Sequence, residues 1–178
     1  MFYKRSALIL PTLLLGPAIA HEAYAAVYLS ESQAASIIFP GLKFSKITLP
    51  LSSEEQNKIK ADAKEDLSGS EALIYSAKSG DCVFIDRVIG KHEYITYAVG
   101  VTKHGKIKGV EILEYRESYG FEVRGEKWRA QFIGKDGKSS LKMNEDIMNI
   151  SGATLSSAHI TRGVRRVLRT YDVIKARI

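Results

Sequence analysis

The chain has 178 residues, enough for one domain with a real core and short for two. Hydrophobic residues at 45% and charged residues at 26% are ordinary for a folded soluble protein, which excludes disordered and multispan membrane classes. The net charge of +6 suits nucleic acid, an anionic membrane surface, an acidic partner or simply a solvated basic surface, and the last needs least.

The N-terminus carries its own pattern. Lys4 and Arg5 give a positive start, an apolar stretch runs from Ser6 to Ala20, and His21-Glu22 leads into Ala23-Tyr24-Ala25. That order of charge, apolar run and small-x-small site predicts a secretory signal peptide over 1–25, cleaved after Ala25, with Ala18-Ile19-Ala20 as second choice. Pro11 and Pro17 interrupt the run, which is also short for a membrane-spanning helix. The expected location is therefore the periplasm or the outer face of the cytoplasmic membrane, where nucleic acid falls away as a partner. Cys82 has no second cysteine to pair with, and its neighbours Val83 and Phe84 predict that it is buried.

Residues 26–72 read as an N-terminal helical segment. Ser30-x-x-Gln33 forms a capping box before Ala34, Ala35, Ile37 and Ile38, and Phe39-Pro40-Gly41 ends that helix. Ser52-x-x-Glu55 caps a second, polar helix from about Ser53 to Leu67, stopped by Ser68-Gly69-Ser70. Its thin face of Ile59, Ala63 and Leu67 predicts a surface-lying helix.

The main domain is placed at 73–178, where the period changes. Cys82–Ile89, Tyr94–Val101 and Ile107–Tyr115 read as strands, joined by turns at Gly90 to Glu93 and Lys103 to Lys106. An antiparallel meander of about three strands follows, and no alternation of strands with long helices suggests a doubly wound fold. The chain finishes in an amphipathic helix with Ile160, Val164, Val167, Leu168 and Tyr171 on one face and Arg162, Arg165, Arg166 and Arg169 largely away from it. The expected class is α+β, an antiparallel sheet covered by helices.

Ser151-Gly152-Ala153-Thr154-Leu155-Ser156-Ser157 is a small, hydroxyl-rich turn placed before that last helix. The first amides of a helix lack partners and the helix dipole adds positive charge, so small residues there let a phosphate approach the backbone. The competing reading is that Thr154, Ser156 or Ser157 caps the helix.

The run Ile150 to Ser157 closely resembles the flavinylation motif of the FMN-binding domain family, to which the G subunit of the Rnf electron-transport complex and the C subunit of the sodium-pumping NADH:quinone oxidoreductase belong. Gly105-Lys106-Ile107 with Val110 to Leu113, then Glu117-Ser118-Tyr119-Gly120, resembles the family's strand and Glu-Thr-x-Gly loop. Trp128 to Phe132 ahead of Gly134-Lys135 adds to the likeness, which spans about residues 73 to 170. The resemblance implies FMN as cofactor, bound in an FMN-binding domain at 73–178 at the N-terminus of the last helix. It implies a phosphoester to the Thr154 hydroxyl, made outside the cytoplasm by a flavin transferase that uses FAD. Gly152, Ala153 and Leu155 are the expected phosphate surround, with Ser151 or Ser156 adding a hydroxyl. Trp128, Tyr119 and Leu155 are candidates for the face of the flavin ring, and Glu117 and Ser118 for lining its pocket. For Trp128 the alternative is core packing, and for Glu117 a solvated loop charge. One position departs: the family carries an acid six residues before the modified Thr, and here that position is Met148.

Other chemistries find less support. His21, His92, His104 and His159 lack metal-type spacing. Gly137-Lys138-Ser139 fails as a phosphate loop because Phe132 stands where its first Gly belongs, and no Gly-x-Ser-x-Gly elbow occurs. The expected function is electron transfer through tethered FMN to membrane-bound or periplasmic redox proteins, a carrier rather than a stand-alone enzyme. A flavin-dependent reductase of a small substrate and a non-covalent flavin-binding or sensory module are the alternatives.

Overall fold

A computed structural model describes residues 26–178; the signal-peptide expectation for 1–25 lies outside them. Six strands form one antiparallel sheet in the order β1-β6-β5-β4-β3-β2. They are β1 (Ala26–Val27), β2 (Phe44–Pro50), β3 (Glu71–Ala77), β4 (Cys82–Ile89), β5 (Tyr94–Val101) and β6 (Ile107–Tyr115). The helices are α1 (Glu31–Ile38), α2 (Ser53–Ala63), the single turn α3 (Glu126–Arg129) and the long α4 (Thr154–Ile174). The α+β expectation holds, and the three central strands fall where the pattern placed them.

The sheet is wider than the pattern showed, because β1, β2 and β3 join the meander. The segment 26–72 is thus not helical throughout: it supplies α1 and α2, and also an edge strand on each side of the sheet. Both expected capping boxes form, at Ser30 with Gln33 and at Ser52 with Glu55. α2 stops at Ala63 rather than near Leu67, because Lys64 turns into the left-handed region and closes the helix with its amide on the Lys60 carbonyl. Its thin face is well buried: Ile59 and Ala63 are both fully enclosed.

Alternation along the strands sorts the core into two layers. Ile74, Phe84, Tyr97, Val99 and Ile112 point to the side covered by α4 and α2. Val83, Ala98 and Leu113 point the other way, against Ala34, Ala35, Ile38 and Phe39 of α1. Cys82 is buried as expected, and burial, with the Asp81 charge adding, pushes its thiol up to about 12.

α4 lies across the first face with Ile160, Val164, Val167 and Leu168 inward. The arginine reading needs correction at one position. Arg166 is only 4% exposed and points inward, not away from the apolar face. Its Nη2 donates to Asp86 at 2.8 Å and to the Arg87 carbonyl at 2.9 Å, and its Nη1 donates to the Asp66 carbonyl at 2.5 Å. Asp86 also accepts from Tyr97 Oη at 2.8 Å. A charge can occupy this face because its donors and its counter-ion are all satisfied there. Among the described residues no helix is long and apolar enough to cross a membrane.

Candidate functional site

Three segments converge at the N-terminal end of α4. The first is the helix start itself. Its N-cap is Ala153, at φ −121°, and no side chain caps the helix. None of the hydroxyls offered as caps takes that role. Thr154 is the first helical residue, Ser156 is turned inward, and Ser157 lies 2.8 Å from the Ala153 carbonyl one turn back. Ser157 is the first residue whose amide has a helical acceptor, the Ala153 carbonyl at 2.9 Å. The amides of Thr154, Leu155 and Ser156 are left without a partner among the described residues. Gly152 precedes them at φ +86°, in open space, so the backbone can be approached closely. Unpartnered amides, the positive end of a 21-residue helix and small neighbours together fit a phosphate.

The second segment is the loop after β6. Tyr115 Oη lies 2.5 Å from the Tyr119 carbonyl and 2.9 Å from Ser156 Oγ. Burial pushes the Tyr115 phenol up, so it keeps its proton. A carbonyl can only accept, so Tyr115 donates to Tyr119 and Ser156 donates to Tyr115. This chain of bonds clamps the Glu117 to Gly120 loop onto the first turn of α4. Gly120 is required at the contact: its φ is +93°, and a Cβ there would meet Tyr115 Oη at 2.7 Å and Ser156 Oγ at 2.8 Å. The two stretches that carry the family resemblance, far apart in sequence, are therefore neighbours in space.

The third segment leads into the motif. Trp128 Nε1 donates to the Met148 carbonyl at 2.9 Å, and the Met148 amide donates to Gln131 Oε1 at 2.7 Å. The backbone of Met148 is held from both sides while its side chain stays 59% exposed. Asn149 follows. Its Oδ1 accepts from the Ile150 amide at 2.8 Å and lies 2.8 Å from Ser157 Oγ, and its Nδ2 donates to Thr154 Oγ1 at 3.1 Å.

The expected site residues thus separate by place. Ser151, Gly152, Thr154 and Leu155 are exposed around the helix start, with Ala153 buried beneath them as the cap. Ser156 is close by, but its hydroxyl is engaged by Tyr115 and is not open to a phosphate. Ser118 is exposed on the clamped loop, and Tyr119 is 83% exposed. Glu117 is half-buried rather than a solvated charge. Its Oε1 accepts from the amides of His92 at 2.5 Å and Glu93 at 2.9 Å. Burial opposes its charge, but those bonds and one from Lys91 outweigh it and hold the carboxyl below its ordinary value. Trp128 packs in the core, edge-on to Phe132 with centroids 5.2 Å apart, and its exposure is only 6%. It supports the approach to the motif and leaves Tyr119 and Leu155 as the accessible apolar surface. Asn149 and Tyr115 were missed in the sequence, where an Asn in a loop and a Tyr ending a strand look unremarkable.

Residues 90–169 match the family model described as the FMN-binding domain, a span from the β4–β5 turn to the last third of α4. No curated protein matches the chain. The matched span contains the clamped loop, Asn149 and the uncapped helix start. The chain carries a domain of the FMN-binding domain family over residues 90–169, and FMN is its cofactor.

Proposed function

We propose that this chain is an exported electron-transfer protein that carries FMN through a phosphoester to Thr154. The observation that supports this most is the start of α4: an exposed threonine hydroxyl beside three unpartnered amides, with no side chain competing for them. The amides of Thr154, Leu155 and Ser156 would hold the phosphate, Gly152 would admit it, and Tyr119 and Leu155 would offer apolar contact to the ring. Bound there, FMN supplies one- and two-electron chemistry, which suits a relay between unlike partners. The protein's own residues orient the group and leave it at the surface; neither Glu117 nor Tyr115 is a free acid or base, since both are engaged in structural bonds. That favours a carrier over a reductase with its own substrate.

Export places attachment outside the cytoplasm, with a flavin transferase as maturation partner and periplasmic or membrane-bound redox proteins as electron partners. The N-terminal pattern through Ala25 supports this. Met148, in the place of the family's acid, supports the second reading, in which FMN binds without a bond. Intact mass after expression with a flavin transferase separates the two. Covalent attachment adds the mass of FMN less water, and Thr154→Ala abolishes it. An unmodified mass with bound, extractable flavin establishes the second reading, and loss of flavin altogether sinks both.

A further inference from the structure

We propose that Asn149 is the positioning residue for flavin attachment, holding the Thr154 hydroxyl in the orientation that phosphoryl transfer requires. This rests on Thr154 being the attachment point. The assignment of the Asn149 amide is forced by its surroundings. The Ile150 N–H can only donate, so the atom 2.8 Å from it is the oxygen Oδ1. Nδ2 then faces Thr154 Oγ1 at 3.1 Å and donates to it. The contact of Oδ1 with Ser157 Oγ at 2.8 Å fixes the same side chain from the far side of the first turn.

Two consequences follow for the threonine. Its Oγ1 has one lone pair engaged, so its rotamer is set and its own proton is directed away from Asn149. An N–H donated into Oγ1 also stabilises the negative charge that grows there as the proton leaves. In the transfer step Oγ1 bonds to the flavin-bearing phosphorus of FAD held by the transferase. The P–O bond of the pyrophosphate breaks, AMP leaves with that electron pair, and the hydroxyl proton passes to the transferase. No atom changes oxidation state. Met148, where the family has its acid, turns outward with its backbone fixed by Trp128 and Gln131, so orientation of the hydroxyl falls to the next residue.

Asn149→Asp is the discriminating variant. A carboxylate still accepts from the Ile150 amide and the Ser157 hydroxyl, so the turn is kept, but it has no proton to donate to Thr154. Attachment is followed by intact mass with purified transferase and FAD, over a range of acceptor concentrations, on variants whose thermal midpoint matches the wild type. The expected result is a kcat for attachment lowered by about 100- to 1,000-fold, the scale for losing one donor to a developing oxyanion, with KM for the acceptor unchanged. Asn149→Ala, which loses all three contacts, is expected to show at least the same loss in kcat. Equal kcat in wild type and Asn149→Asp overturns the proposal, as does a change confined to KM, which would make Asn149 a recognition residue. Wild type that takes no FMN while the transferase modifies a control acceptor refutes the Thr154 reading itself and this inference with it.

Discussion

At the residue scale, Glu117 shows how one carboxylate ties two turns together. It accepts from the His92 and Glu93 amides across 25 and 24 residues of sequence, and so fixes the β4–β5 turn to the loop that is clamped on α4. Its folded-state pKa lies below its ordinary value of 4.5. The stabilisation is therefore complete above the ordinary carboxylate range and is lost as pH falls through the lowered folded value. Glu117→Gln should be less stable than wild type at about pH 7, with the gap in thermal midpoint closing as the pH falls below the ordinary carboxylate value and through the lowered folded one. A gap that stays constant across that range would show that the carboxylate charge is not what the amides recognise. From sequence alone Glu117 was a loop acid that could line a pocket or stay solvated, and only the fold, by bringing the His92 and Glu93 amides within reach, shows the bonds it makes.

At the element scale, α4 is set on the sheet by apolar packing and by one buried ion pair. The Arg166 and Asp86 side chains are 5% and 10% exposed and meet at 2.8 Å. Burial disfavours the Arg166 charge, yet Tyr97 and Asp86 beside it more than compensate and raise its pKa. Asp86→Ala strands that guanidinium and is expected to cost about 3–5 kcal/mol of stability, measured by urea unfolding. A cost below about 1 kcal/mol, the range of exposed pairs, would mean that water reaches the pair. Helical periodicity could not reveal this contact. Arg166 lies between Val164 and Val167 at the margin of the apolar stripe, and its counter-ion is 80 residues away in sequence. The reverse failure occurs at β2. Its burial is only partial, with Ser45, Lys46, Thr48 and Pro50 exposed, as befits an edge strand. Such a strand lacks the dense Val and Ile content that made β4 and β5 legible. Lys46 and Pro50 on it also discourage pairing with another chain.

At the scale of the whole molecule, one sheet carries both layers, and the end of β6 meets the first turn of α4 where the motif lies. The central meander, the last helix and the motif's place before it were all readable, because each is set by local period or by a fixed run of residues. The clamp was not, since Tyr115, Gly120 and Ser156 become neighbours only once β6 and α4 are packed. The uncapped start of α4 has a consequence for how the protein exchanges its backbone hydrogens. From Ser157 onward the amides are bonded within a buried helix, whereas Thr154 and Leu155 sit exposed with no acceptor. Deuterium uptake along α4 should therefore step sharply at Ser157. Occupation of the helix start by a phosphate would erase that step, so exchange at two adjacent amides reads the site without relying on colour, mass or turnover. A step that persists in flavin-loaded protein would place the phosphate elsewhere.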